Sequence, residues 1–135
     1  MFVLQYSQAE QILEKALDKA RELKVNISVW VLDASASPMA FAKMDGAGPM
    51  TPEIARRKAY TSAMTGRNSG EWAESMKGRT EVLMSIMSAT NGMMAPMLGG
   101  VVIKRGTEVL GSVAASGATG EQDQECAMAG ASVLA

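Results

Sequence analysis

The 135 residues are enough for one domain, and 13 basic against 14 acidic residues give a net charge of −1. The basic residues are spread from Lys15 to Arg105, which argues against a nucleic-acid partner. The absence of histidine and the single cysteine, Cys126, exclude histidine-based triads, histidine-ligated metals and an intramolecular disulfide. No apolar stretch reaches the roughly 20 residues of a membrane span. The first six residues do not resemble a signal peptide. We therefore expect one cytoplasmic domain over residues 1–135.

The first third of the sequence predicts a helix followed by a β-hairpin. The pair Ser7 and Glu10 has the spacing of a capping box, and apolar residues recur every three or four positions over residues 8–24. From residue 25 to 33 the period changes to two, which predicts a strand with Val29 and Val31 buried on one face. Small turn residues follow, so residues 39–44 are expected to return antiparallel.

Helices are predicted for the middle of the chain. Thr51 and Pro52 form a typical helix start, with Thr51 as the capping residue, and this helix is expected to end near residue 65. Glycines at 66, 70 and 78 then divide the sequence into shorter helical pieces over residues 71–77 and 80–89.

A second hairpin and a last helix complete the prediction. Residues 101–104 and 109–114 are strands joined by a tight turn at Arg105 and Gly106, and Thr119 with Gln122 caps a helix over residues 120–133. Both hairpins have connections too short for a parallel crossover. The fold class is therefore α+β, an antiparallel sheet with helices packed on it.

Three segments carry a family resemblance: residues 44–47 (MDGA), residues 54–63 (IARRKAYTSA) and residues 98–123. In this order, with the leading helix and hairpin, they resemble the GlcG/HbpS-like family, which includes the C-terminal domain of PduO-type proteins. The resemblance implies a profilin-like, five-stranded antiparallel sheet flanked by helices, assembled into homo-oligomers. Some members bind haem or related tetrapyrroles, and a few act on unsaturated ring-cleavage acids.

The resemblance leaves the cofactor open. Haem-binding members are thought to use a histidine as axial ligand, and this sequence has none. Methionine, Cys126, Tyr6, Tyr60 or a lysine would have to replace it, because haem iron is also held by thioether, thiolate or phenolate groups in proteins. No metal site is predicted.

Two glycine-containing segments are candidate ligand-binding sites. The turn over residues 116–120 leads from a strand into a helix, where free N–H groups favour a carboxylate or phosphate. Gly99 and Gly100 stand at a strand start, where a ligand can approach the backbone closely. A capped tight turn and a β-bulge explain the same residues structurally. The candidate ligand-binding residues are Gly99, Gly100, Gly117, Ala118, Thr119 and Gly120.

Lys58 is the main candidate for chemistry. It shares a helix face with Ala55 and Ala59, which predicts that it points inward. If buried, it could carry a proton or form an imine, with Asp45 or Glu121 assisting. The competing interpretation is an ion pair with Asp45 that anchors the hairpin to the helix. The first-turn carboxylates, Glu121 among them, are also explained by the helix dipole.

Three functions follow from these observations. The first is a small-ligand-binding homo-oligomer, whose assembly is expected because the 12 methionines and few aromatics leave apolar surface exposed. The second is a catabolic tautomerase, isomerase or deaminase acting on a small unsaturated carboxylic acid. The third is an accessory structural subunit. Cys126 is expected to be a buried, inert thiol.

Overall fold

A computed structural model describes residues 3–135 as one antiparallel sheet with helices on both faces. The four strands are β1 (Ser28–Asp33), β2 (Pro38–Lys43), β3 (Gly100–Arg105) and β4 (Glu108–Ser116), in the order β2-β1-β4-β3. The helices are α1 (Tyr6–Leu23), α2 (Thr51–Thr65), α3 (Ser69–Ser75), α4 (Thr80–Ala89) and α5 (Gly120–Ala131), and a 3-10 turn (Ser132–Leu134) follows. Residues 1 and 2, part of the segment judged unlike a signal peptide, lie outside the described residues.

The predicted α+β fold and both hairpins are confirmed, and the two hairpins join because β1 also pairs antiparallel with β4. Within residues 3–135 the sheet has four strands. The five-stranded sheet that the family resemblance implies is therefore wrong for these residues. Residues 93–99, before β3, remain irregular. Ala95 N–H, for example, donates to the Thr61 hydroxyl (2.7 Å) and not to a neighbouring strand.

Alternation along β1 decides which helices cover which face of the sheet. Val29 and Val31 are fully buried, as predicted, in the main core that α1 and α5 cover. Leu32 lies in the smaller cluster with Ala59 of α2 and Ala114. Helix α2 therefore covers the face of the sheet opposite to α1 and α5. A side chain that connects α2 with α5 has to reach past the sheet.

Helix starts were predicted less accurately than helix interiors. Helix α1 begins at Tyr6, where the Gln8 side chain accepts from Gln5 N–H (2.9 Å), so the predicted capping pair of Ser7 and Glu10 is wrong. Thr51 is the first residue of α2 and not its cap, and its hydroxyl donates to the Gly48 carbonyl (2.7 Å). The capping box of Thr119 and Gln122 is confirmed at the start of α5.

Candidate functional site

A buried ion pair between Lys58 and Asp123 lies where α2 approaches α5. The Lys58 ammonium donates to the Asp123 carboxylate (Nζ to Oδ2, 3.1 Å) and to the Ala115 carbonyl of β4 (3.0 Å). The two side chains are 2% and 4% exposed. One lysine thus connects a helix on one face of the sheet, a central strand and a helix on the other face.

Asp123 also holds the turn that precedes α5. Its second oxygen, Oδ1, accepts from Ala118 N–H (3.0 Å), and the Gly117 N–H also acts to lower the pKa of this carboxyl. Thr119 N–H is bonded to the Gln122 side chain (3.2 Å). The Ala118 N–H belongs to the turn that we expected to bind a ligand carboxylate, and in the folded chain it binds the Asp123 carboxylate.

The electrostatics of the pair are dominated by burial. Loss of solvent lowers the pKa of Lys58 and raises the pKa of Asp123, and the attraction between the two groups opposes both shifts without cancelling them. Both shifts bring the proton affinities of the two groups closer together. Burial therefore weakens the preference for the charged form in both groups.

Gly99 and Gly100 lie so close to neighbouring groups that neither position has room for a Cβ. A Cβ on Gly99 would lie 2.7 Å from both Lys58 Nζ and the Ala115 carbonyl, and Gly99 has a φ of +129°. A Cβ on Gly100 would lie 2.8 Å from the hydroxyls of Ser62 and Ser69. The close approach that we predicted for a ligand is thus made by the protein's own residues on the side where a Cβ would stand.

The other predicted site residues lie apart from Lys58. Asp45 is exposed in the turn after β2, so the predicted ion pair of Lys58 with Asp45 is wrong and Asp123 takes that place. Glu121 is exposed in the first turn of α5, and Gly120 begins that helix against the Leu98 side chain. The predicted catalytic set of Lys58, Asp45 and Glu121 is therefore not assembled at one point.

Sequence reasoning missed Asp123, Ser62 and Ser69 as members of the buried polar cluster. The Ser69 hydroxyl bridges the Met97 carbonyl (2.5 Å) and Gly100 N–H (2.8 Å), while Ser62 Oγ has no hydrogen-bond partner within the described chain. A signal for Asp123 was present, because it precedes Ala127 and Gly130 by four and seven positions and so shares their buried helix face.

Residues 3–135 offer few other groups for catalysis or metal binding. Cys126 is fully buried, and loss of solvent raises its pKa to about 11, which fits the expected inert thiol. No group of three or more Cys, Asp or Glu side chains among these residues could hold a metal ion. None of the described helices is both long and apolar enough to cross a membrane.

Comparison with solved structures shows the same fold. A double mutant of Streptomyces reticuli HbpS is 24% identical, with a TM-score of 0.87 over 100% of this chain and 89% of that one. Klebsiella pneumoniae protein ORFY is 21% identical, with a TM-score of 0.90 over 99% and 92%. A PduOC complex with haem is 22% identical, with a TM-score of 0.89 over 98% and 96%. A search of curated proteins gave no significant match.

The family model described as "Haem degrading protein HbpS-like" matches residues 4–132, nearly the whole chain. The resemblance drawn from the three sequence segments is thereby confirmed. The chain belongs to the HbpS-like family.

Proposed function

We propose that the chain binds a small planar ligand, with haem or another tetrapyrrole as the first candidate. The observation that carries the proposal is a surplus of exposed thioethers: Met50, Met64, Met84, Met97 and Met128. Methionine surfaces adapt to flat apolar ligands, and a thioether is an accepted haem ligand. The family description and the PduOC complex with haem support the same ligand class.

Among the described residues, the exposed methionines are the donor groups that fit a tetrapyrrole best. Cys126 is buried and protonated, Lys58 is held by Asp123, and the Tyr6 hydroxyl donates to Glu10 (3.1 Å). A haem iron held by a thioether would supply one-electron or oxygen chemistry, which the protein tunes through its surroundings.

Titration of the purified chain with haemin tests the proposal. We expect a saturable shift of the Soret band with a defined stoichiometry. An absorbance that rises linearly, without saturation and without a shift, would mean non-specific adsorption and would remove tetrapyrroles from consideration.

We also infer that the chain forms a homo-oligomer through α4. This helix carries six apolar side chains, yet no residue of it is buried, and it makes few contacts with the other described helices and strands. Leu83, Ile86 and Met87 recur at helical spacing and are half-buried, while Val82 and Met84 are exposed. The exposed pair supplies apolar surface that a second copy of the chain could cover. Light scattering at micromolar concentration is expected to give a multiple of the 14.2 kDa chain mass, and a stable monomer would refute the inference.

A second candidate function is proton transfer on a small unsaturated carboxylic acid, and the Lys58 and Asp123 pair favours it. A lysine whose pKa is lowered by burial can act as a general base. The test is hydrogen exchange at carbon, followed by NMR in D2O, for a panel of unsaturated acids. Exchange that Asp123→Asn abolishes would support it. Without exchange or haemin binding, an accessory structural subunit is the interpretation that remains.

A further inference from the structure

Helix α4 ends in a Schellman motif. Asn91 follows the helix with a φ of +54°, and its N–H donates to the Ser88 carbonyl (3.3 Å). Gly92 N–H donates to the Met87 carbonyl (2.7 Å), and the Gly92 carbonyl accepts from the Arg57 guanidinium of α2. The two backbone bonds are the pair that defines the motif, in which a residue in the left-handed conformation ends the helix. The position of Asn91 is therefore fixed by the last turn of α4 and by α2.

Asn91 and Gly92 form the only Asn–Gly pair in the sequence. In such a pair the glycine nitrogen can attack the side-chain amide carbon of the asparagine, because glycine has no side chain to obstruct the approach. A new C–N bond closes a succinimide ring, and the bond to the amide nitrogen breaks. The NH2 group leaves as ammonia with the proton of the glycine N–H. Water then opens the ring at either carbonyl and leaves aspartate or isoaspartate.

The folded chain opposes this reaction at the attacking nitrogen. Gly92 N–H is held by the Met87 carbonyl, so its proton is engaged in the bond that ends the helix. Asn91 itself is exposed. The reaction therefore needs the last turn of α4 to unwind. No residue of α4 is buried, and a helix with so little burial opens locally at low cost.

We propose that Asn91 is a deamidation site of the chain, and that unwinding of the last turn of α4 sets its rate. The inference goes beyond the proposed ligand and assembly and rests on neither. Isoaspartate adds a methylene to the main chain, which changes the geometry of the two motif bonds. Aspartate places a negative charge at a helix C-terminus, where the helix dipole disfavours it. Either product therefore weakens the end of α4.

The other two asparagines of the sequence provide internal controls. Asn26 is exposed, but the next residue is Ile27, whose branched side chain obstructs the attack. The side-chain oxygen of Asn68 accepts from Val102 N–H (3.0 Å), which holds the amide in place. We expect both to keep their amides while Asn91 loses its own.

Incubation of the purified chain at neutral pH for several weeks tests the proposal. Peptide mapping by mass spectrometry and enzymatic detection of isoaspartate are the readouts. We expect modification at Asn91 alone, and more slowly in the folded chain than in guanidinium chloride. Ala89→Gly, at an exposed position in the last turn, should speed up modification of the folded chain by up to about fivefold, because glycine destabilises a helix relative to alanine.

Two further variants are controls. Gln11→Gly, at an exposed position in α1, should change the rate at Asn91 by less than about twofold, because it weakens a different helix. Asn91→Gly keeps a residue that suits the motif and removes the amide, so the peptide that contains position 91 should not change in mass.

Equal rates in the folded and unfolded chains would overturn control by α4, and so would an Ala89→Gly rate no higher than that of Gln11→Gly. If Asn91 stays intact in the folded chain while the unfolded chain is modified in the same period, the site itself is overturned. Modification at Asn26 or Asn68 before Asn91 would overturn it too. A change in mass of the same peptide in Asn91→Gly would show that another residue reacts, which contradicts the assignment.

Discussion

The inward face of α2 buries a charged side chain, whereas helix α4 exposes apolar side chains. On α2, a lysine lies buried among alanines and serines, next to the sheet. On α4, Val82 and Met84 are exposed, Met84 at 66%, and no residue of the helix is buried. Burying an unpaired charge is costly, and exposing a helix of apolar side chains is costly as well. Each region therefore needs a partner.

The difference is that one region finds its partner within the chain and the other does not. Lys58 meets Asp123 and the Ala115 carbonyl, both supplied by neighbouring elements. Helix α4 has few contacts with the other described helices and strands. We infer that the buried pair serves mainly to hold α2, β4 and α5 together, and that binding and assembly belong to the exposed methionine surfaces.

Removing Lys58 is the strongest way to break this comparison. Lys58→Met leaves the Asp123 carboxylate buried without its cation, and we expect the free energy of unfolding to decrease by about 3 kcal/mol or more. Urea denaturation measures the change. Lys77→Met is the matched control, because Lys77 forms its ion pair with Glu74 in solvent, with 74% and 69% of the two side chains exposed. Such surface pairs contribute about 0–1 kcal/mol.

Equal denaturation midpoints for the two lysine variants would show that the buried pair does not hold the fold. If Lys58→Met also kept haemin binding and hydrogen exchange unchanged, Lys58 would have neither a structural nor a functional role. If the variant stayed stable but lost hydrogen exchange on an unsaturated acid, the second candidate function would gain the residue that it needs.

The sequence predicted the elements of the core well because local periodicity determines them. Val29 and Val31 are buried where a period of two places them, and α2 ends at Thr65, as predicted. The inward orientation of Lys58 also followed from its spacing to Ala55 and Ala59. These are properties of a single helix or strand, and each can be read from a short window of residues.

The partner of Lys58 could not be predicted in the same way. Asp45 was chosen because it is close in the chain, whereas Asp123 is 65 positions away and is brought near only when α5 packs on the other face of the sheet. The glycines illustrate the same limit of local reasoning. Gly99 and Gly100 do mark a close approach, but the groups that approach, Lys58 and Ser62, come from a distant helix.

Gly99→Ala sharpens the comparison, since it fills the space that the Lys58 ammonium uses. The new Cβ would meet the Ala115 carbonyl and Lys58 Nζ at 2.7 Å, with φ at +129°. We expect the free energy of unfolding to decrease by about 2 kcal/mol or more, because of this combined clash and strain. Gly78→Ala is the control, because Gly78 also has a positive φ, +72°, but no described atom lies within 4 Å of the position that its new methyl group would take. If the melting temperature decreases equally in both variants, backbone strain alone explains the effect of the substitution at Gly99.

A charge placed on α4 tests the other half of the comparison. Met84→Glu is expected to dissociate the oligomer and to leave the single chain folded, because the side chain is exposed. The melting temperature should then decrease only by what assembly contributed. Light scattering measures the assembly state, and circular dichroism during heating measures the melting temperature. Met64→Glu, a substitution of a methionine that is 45% exposed near the end of α2, is the control and should keep the assembly intact. Dissociation in Met64→Glu, with assembly kept in Met84→Glu, would move the interface away from α4.

The smallest expected effect concerns Cys126, three positions after Asp123 on α5. Its pKa is raised by burial from 9.0 to about 11, so the thiolate at pH 8 is about a hundredfold rarer than in the unfolded chain. Since the folded state keeps this proton longer, the free energy of unfolding is unaffected by the group below pH 9 and decreases as the pH rises towards 11. A thiol-reactive dye should therefore label the native chain far more slowly than the urea-unfolded chain, and Cys126→Ala should not be labelled at all. Fast native labelling would mean that α5 opens readily. Because the same helix carries Asp123, it would also mean that the Lys58 ion pair holds the fold less firmly than its burial implies.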